Sequence, residues 1–243
     1  MAISSPPRPS GQAAPHRRGG VIIALALALV ALLALVLVLV ALLARDRSPS
    51  SGVQGSGVAA TQSRALAGFS RLDLPGSNNV IVVVGGRQSV VVHADSNLLG
   101  NVTTRVVAGT LIIGTTGRFT TKSPMSVEVS VPSLTAVTLS GSGQISVTGI
   151  DAAQLTVSLP GSGAVYAAGT VAQLDVTLDG SGLAQLGHLV ARNARAVVAG
   201  SGLIRVTATA TLNAAVSGSG AVIYTGHPQV TSSVTGSGTV TGG

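Results

Sequence analysis

The sequence has no cysteine and no tryptophan, aromatic residues make up 2% of it, and charged residues only 9%. Without cysteine there is no disulfide framework and no thiolate metal site. The scarcity of aromatics removes the stacking platforms by which single-stranded nucleic acid is gripped. The few charges lie unevenly. Residues 1–47 hold Arg8, Arg17, Arg18, Arg45 and Arg47 against Asp46, a net +4 of the chain's formal +7. No basic run is interleaved with aromatics, so nucleic acid is not an expected partner. What the chain has in quantity is glycine, 32 residues of 243, among Val, Thr, Ser and Ala, which suits an all-β repeat.

The N-terminal part divides by composition. Residues 1–20 are rich in Pro, Ser and Gly and read as a disordered tail. Residues 21–44 contain only Val, Ile, Ala and Leu, 24 in succession. As a helix such a run is about 36 Å long, enough to cross a bilayer. A cleaved signal peptide has a shorter apolar core and a small-residue cleavage site, whereas this run exits through Leu42, Leu43, Ala44 and Arg45, so a retained anchor is expected. Arg8, Arg17 and Arg18 ahead of the run favour a cytoplasmic N-terminus and an extracytoplasmic remainder, a single-pass protein of the cell membrane. Residues 45–65 read as a flexible tether, and residues 66–243 as the folded domain.

Within that domain a tripeptide returns. Gly-Ser-Gly begins at Gly141, Gly161, Gly180, Gly200, Gly218 and Gly236, at spacings of 20, 19, 20, 18 and 18. A period of this size signals stacked units. The flanks alternate: Val137, Leu139, Ile145 and Val147 take one phase, Thr138, Ser140, Ser146 and Thr148 the other. Period two means extended backbone with one apolar face, and it places both glycines inward and the serine outward. A parallel β-solenoid with one coil per repeat, 18–20 residues long, explains this pattern. The competing arrangement is an antiparallel meander with each Gly-Ser-Gly as a hairpin loop. Ahead of the array, strands are expected at 69–74, 79–84, 89–94, 101–107, 110–113 and 126–131, with a helical turn at 96–99, a loop at 114–124 and a coil corner at 191–195.

The segments RALAGFSRLDL, VVVHADSNLLGNVTTRVVAGTLIIG and VEVSVPSLTAVTLSGSGQISVTG together resemble the head GIN domain family, also called auto-transporter adhesin. The resemblance covers about residues 66–243 and rests on apolar positions, Ala94-Asp95, Leu98-Leu99, Val131-Pro132 and the glycine array. It implies a right-handed, single-stranded parallel β-helix, exported or membrane-anchored, with no established activity. Nothing in the sequence resembles an outer-membrane translocator barrel.

Candidate chemistry is sparse. A dinucleotide loop needs a third glycine and a following helix, and the array supplies neither. His93 and Asp95 share a strand face in period two, yet Ser89 on that row is too far to be a nucleophile. Asp175 and Asp179 stand about 13 Å apart on an extended chain, too far for a glycosidase pair. No catalytic, cofactor or metal site is expected, and the reading is non-enzymatic; a polysaccharide-acting enzyme would need acids clustered in a groove. Ser142, Ser162, Ser181, Ser201, Ser219 and Ser237 form an outward hydroxyl ladder, either a plain row of turn residues or an interaction surface. The partners expected are the bilayer through residues 21–44, an envelope or surface protein or glycan, and other copies of the chain in an envelope scaffold or sensor.

Overall fold

The computed structural model describes residues 52–243. The tail, the apolar run and residues 45–51 of the expected tether lie outside the described residues. Gly52–Gly243 forms one compact unit. It is all β apart from a single 3-10 turn at Leu99–Asn101.

The first nine strands are short: β1 (Val53–Gln54), β2 (Ala59–Ser63), β3 (Arg71–Leu74), β4 (Asn79–Val84), β5 (Ser89–Asp95), β6 (Val102–Val107), β7 (Thr110–Thr115), β8 (Phe119–Thr120) and β9 (Ser126–Val131). After β10 (Ala136–Leu139) come four long ones: β11 (Gln144–Leu159), β12 (Ala164–Leu178), β13 (Leu183–Val198) and β14 (Leu203–Gly218). The chain then runs through β15 (Ala221–Thr225), β16 (Gln229–Gly236) and β17 (Thr239–Gly242).

From β10 onward every pairing is parallel, each strand lying on its equivalent in the preceding coil. This is a β-solenoid of about five turns, and the hairpin meander is excluded. A straight 16-residue strand would run about 50 Å; β11 instead bends. Its buried residues are Ile145 and Val147, then Ile150, then Leu155, Val157 and Leu159. The phase changes between 147 and 150 and again between 150 and 155, so the chain turns twice within β11 and a third time at the next Gly-Ser-Gly. Where β12 pairs with β11, the register slips between Val147 and Ile150, as a bulge does when it re-aims a strand. Gly149 sits at that turn with φ +75, and a side chain there would meet the Val84 carbonyl.

Inward residues form columns. Val80, Ile145, Val165, Ala184, Ile204 and Val222 stack in one, and Leu155, Leu174, Ala194 and Leu212 in another, all buried. Residues 191–195, expected as a corner, lie within β13 and hold one of its turns: burial changes phase between Ala191 and Ala194, and the register slips between Ala191 and Asn193, so the strand bends there without ending.

The order of coils departs from the order of sequence at one end. β3 lies between β7 and β10, and β4 between β9 and β11, all parallel. The chain therefore lays the coil of β3 and β4, builds that of β7 and β9 on one side of it, and returns to stack β10 and β11 on the other. Antiparallel strands close this end: β5 on β9, β2 on β5, and β6 on β7.

The tether expected at 45–65 is corrected from residue 52 onward. Gln54 and Ser56 are tied to Asn97, whose Oδ1 accepts from Ser56 N and whose Nδ2 donates to Gln54 O, each at 2.8 Å. β2 then pairs with β5 over five residues. These partners lie some 40 residues away, so local composition carries no trace of them. The boundary drawn at residue 66 moves accordingly to Gly52.

Candidate functional site

The glycine corners are built by contact between backbones. Ser162 N and Gly163 N both donate to Gly141 O, and Ala164 N to Gly143 O. The same pattern recurs at Ser201 N to Gly180 O and Ala221 N to Gly202 O. A Cβ built on Gly200 would stand 2.3 Å from Gly180 O and 2.9 Å from Asp179 O. On Gly202 it would stand 2.4 Å from a Leu178 methyl and 2.5 Å from Gly182 O. Period two reads both glycines as inward. At the first four corners the second is indeed buried, but the first is half-buried, and at Gly218 and Gly236 exposed; the space the first lacks is that between coils. Either way only glycine fits.

The serine between them turns outward. Ser142, Ser162, Ser181, Ser201, Ser219 and Ser237 are all exposed. Three of them, with Ser77, Asn79 and Gln144, line an open groove of about 360 Å³ along the corner. Ser77 belongs to a corner that the tripeptide search misses. Gly143 N donates to Gly76 O and Gln144 N to Asn78 O, so Gly76, Ser77 and Asn78 underlie Gly141, Ser142 and Gly143. Asn78 replaces the second glycine and is buried with neither side-chain polar atom hydrogen-bonded. The 65-residue gap from Gly76 to Gly141 hides this corner from a search by period; the shared Gly-Ser, followed by Val80 and Val82 at the offsets of Ile145 and Val147, was the available signal.

His93 and Asp95 do not act together. Asp95 is fully buried at the end of β5 and accepts from Gly57 N at 2.7 Å, Lys122 N at 2.9 Å, Ser123 N at 3.3 Å and Ser123 Oγ at 3.0 Å. The bond from Lys122 N, opposed by burial and reinforced by those from Ser123 and Gly57, holds its carboxyl below the usual range. Asp95 is thus a structural knot joining the 52–58 segment, β5 and the loop after β8. A further Gly-Ser-Gly at 55–57 belongs to this knot and not to the array: a side chain on Gly55 would strike the Asp95 carboxylate. His93, half-exposed on the outer face, has its Nε2 3.4 Å from Glu128 Oε2.

The remaining acids are dispersed. Asp73 on β3 is pushed up by partial burial, with Arg105 working against the shift. Asp175 faces Arg195 on the adjacent coil. Among the described residues no three His, Cys, Asp or Glu side chains lie close enough to hold a metal ion. Tyr166 is exposed and Tyr224 packs against the core, as their phases require.

The family model described as "Putative auto-transporter adhesin, head GIN domain" matches residues 68–228. The chain belongs to the head GIN domain family. No curated protein matches it. Among solved structures, a "putative adhesin" from Bacteroides fragilis NCTC 9343 is similar at 21% identity and TM-score 0.67, covering 79% of this chain and 100% of that one. A "putative adhesin" from Parabacteroides distasonis ATCC 8503 is similar at 20% identity and TM-score 0.52, covering 79% and 99%. At such identities the likeness concerns the fold. The head GIN solenoid of this chain thus presents a ridge of stacked backbone corners with one exposed hydroxyl per coil.

Proposed function

We propose that this head GIN protein is a single-pass membrane protein that displays a right-handed β-helix outside the cytoplasm and works by surface contact, without catalysis. The observation that carries the reading is the serine ridge: a regularly spaced polar edge whose backbone bonds from coil to coil and whose serines are exposed. Such an edge offers repeated hydroxyls to an envelope or surface protein or a glycan. The groups that could do chemistry are spent elsewhere, Asp95 in a knot and His93 against Glu128. The family description points the same way. The anchor in this reading is residues 21–44, with the N-terminus cytoplasmic and the solenoid following it in sequence from Gly52. Among the described residues no helix is long and apolar enough to cross a membrane, so the anchor rests on the sequence alone.

The chain has no cysteine, so single cysteines report position cleanly. On intact cells, a membrane-impermeant maleimide should label Ser50→Cys and Ser162→Cys and spare Ser4→Cys. Its attachment at Ser162→Cys should also reduce adhesion of the cells. Labelling at Ser4→Cys alone would reverse the topology, a mature N-terminus after Ala44 would remove the anchor, and full adhesion after labelling of Ser162→Cys would remove the ridge from the contact.

A further inference from the structure

The two ends of the solenoid are finished differently. β16 pairs with β14 on one side, and among the described residues no strand lies on its other side. All eight of its residues are exposed. Val230 and Val234 continue the inward columns of Leu212 and Val216, yet are 36% and 44% exposed. Natural edge strands are blunted by charge, proline, a bulge or shortness. β16 is long, paired without a register slip, free of proline, and set in a stretch, residues 206–243, that contains no Asp, Glu, Lys or Arg. The opposite end is guarded: Arg64 follows β2 and donates to Leu99 O and Val102 O, and β6 carries Arg105.

We propose that β16 docks against β16 of a second copy, antiparallel about a two-fold axis. An uncharged edge meets itself with no like charges opposed. In antiparallel pairing about an axis normal to the sheet, inward residues of both copies stay on the same side, so Val230 and Val234 of each would extend one continuous core. A two-fold contact is self-complementary and closes at two copies, and the guarded ends cannot propagate it. The pair would set the two Gly52 ends at opposite extremes of a double-length rod. Resting on the membrane-displayed reading above, this adds to the serine ridge a second contact, with the same protein on a facing membrane. Eight residues a side is well below the roughly 20–30 of a standard stable interface, so each contact is transient. Many contacts between two membranes compensate.

The test uses the full chain in detergent, where membrane topology plays no part, with single cysteines at Thr231, Ser232 or Ser233 and mild oxidation. At least one position should give a disulfide-linked dimer on a non-reducing gel, while Thr61→Cys on β2 should stay monomeric. Adding Val234→Lys should lower the dimer yield about tenfold, equivalent to 1.4 kcal/mol, with the β-sheet circular dichroism unchanged; if that signal falls, Thr231→Lys on the outward side, combined with Ser233→Cys, replaces it. No dimer at any of the three positions, equal dimer from Thr61→Cys, or indifference to the lysine would overturn the proposal. Cross-linking in detergent together with labelling only at Ser4→Cys on cells would sustain this contact while overturning the topology.

Discussion

The regular coils and the capped end solve the same problem with different means. From β10 onward, side chains matter chiefly as inward columns, while the Gly-Ser-Gly corners are held mainly by backbone bonds and require glycine; hydroxyls such as Thr207 Oγ1, which donates to Gly187 O, tie only adjacent coils. In residues 52–133, polar side chains carry the organisation: Asp95, Asn97, Arg64 and Gln88 each bind backbone from a distant segment. A repeat needs no such ties because each coil supplies the next with a ladder; an end has no next coil, so something else must satisfy its edge.

The sharpest break of this comparison is Gly200→Val. With two carbonyl oxygens inside 3 Å of any Cβ there, the coils must part, and a loss of about 3 kcal/mol or more is expected by overpacking. Denaturant unfolding measures it, and damage should spread to neighbouring coils. A loss under about 1 kcal/mol would mean the corner yields easily and glycine is not required.

Asp95→Asn tests the other end. It keeps the shape but removes the charge that three backbone N–H groups and a hydroxyl address. The 52–58 segment should lose its protection in amide exchange while the coils from β11 onward keep theirs. Acid should act likewise. Because the folded carboxyl lies below its ordinary value of 3.8, its contribution is complete above that value and is lost as pH falls through the lower folded one. Exchange at Gly57 and Lys122 that is unaffected by pH down to about 2 would show that the knot does not depend on the charge. The smallest effect is expected from Ser201→Ala, within about 0.5 kcal/mol, because the hydroxyl is exposed. A loss comparable to that at Gly200 would make the serine ridge structural, not available for contact.

The two regions also differ in how far the sequence discloses them. The coils were legible because one rule, period two with a glycine punctuation every 18–20 residues, is written into every repeat. Several short strands of the capped end were legible too: 79–84 and 126–131 coincide with β4 and β9. Their partners were not. Nothing local to Val80 says that it lies between Val127 and Ile145, since both are found by topology and not by pattern. The strand character of 59–63 was hidden because AATQS has no apolar alternation and owes its form to β5. The exposure of the six serines followed from phase, whereas the Ser77 corner did not, since Asn78 interrupts the motif and seven strands intervene before it resumes.

The placing of β3 and β4 inside their own neighbours bears on the order in which the molecule assembles. Val157 meets Val176, only 19 residues on, but Leu72 meets Val137, 65 residues on. Closing the longer loop costs about 1 kcal/mol more in chain entropy. It also encloses a coil that is not sealed until strands from both flanks have arrived. A nucleus is therefore cheapest among β11 to β14, where each new coil adds a short closure to an edge already formed. The β3–β4 coil, made first by the ribosome, then becomes the late seam of the folding reaction: its first turn waits for the array to provide a surface on which to lie.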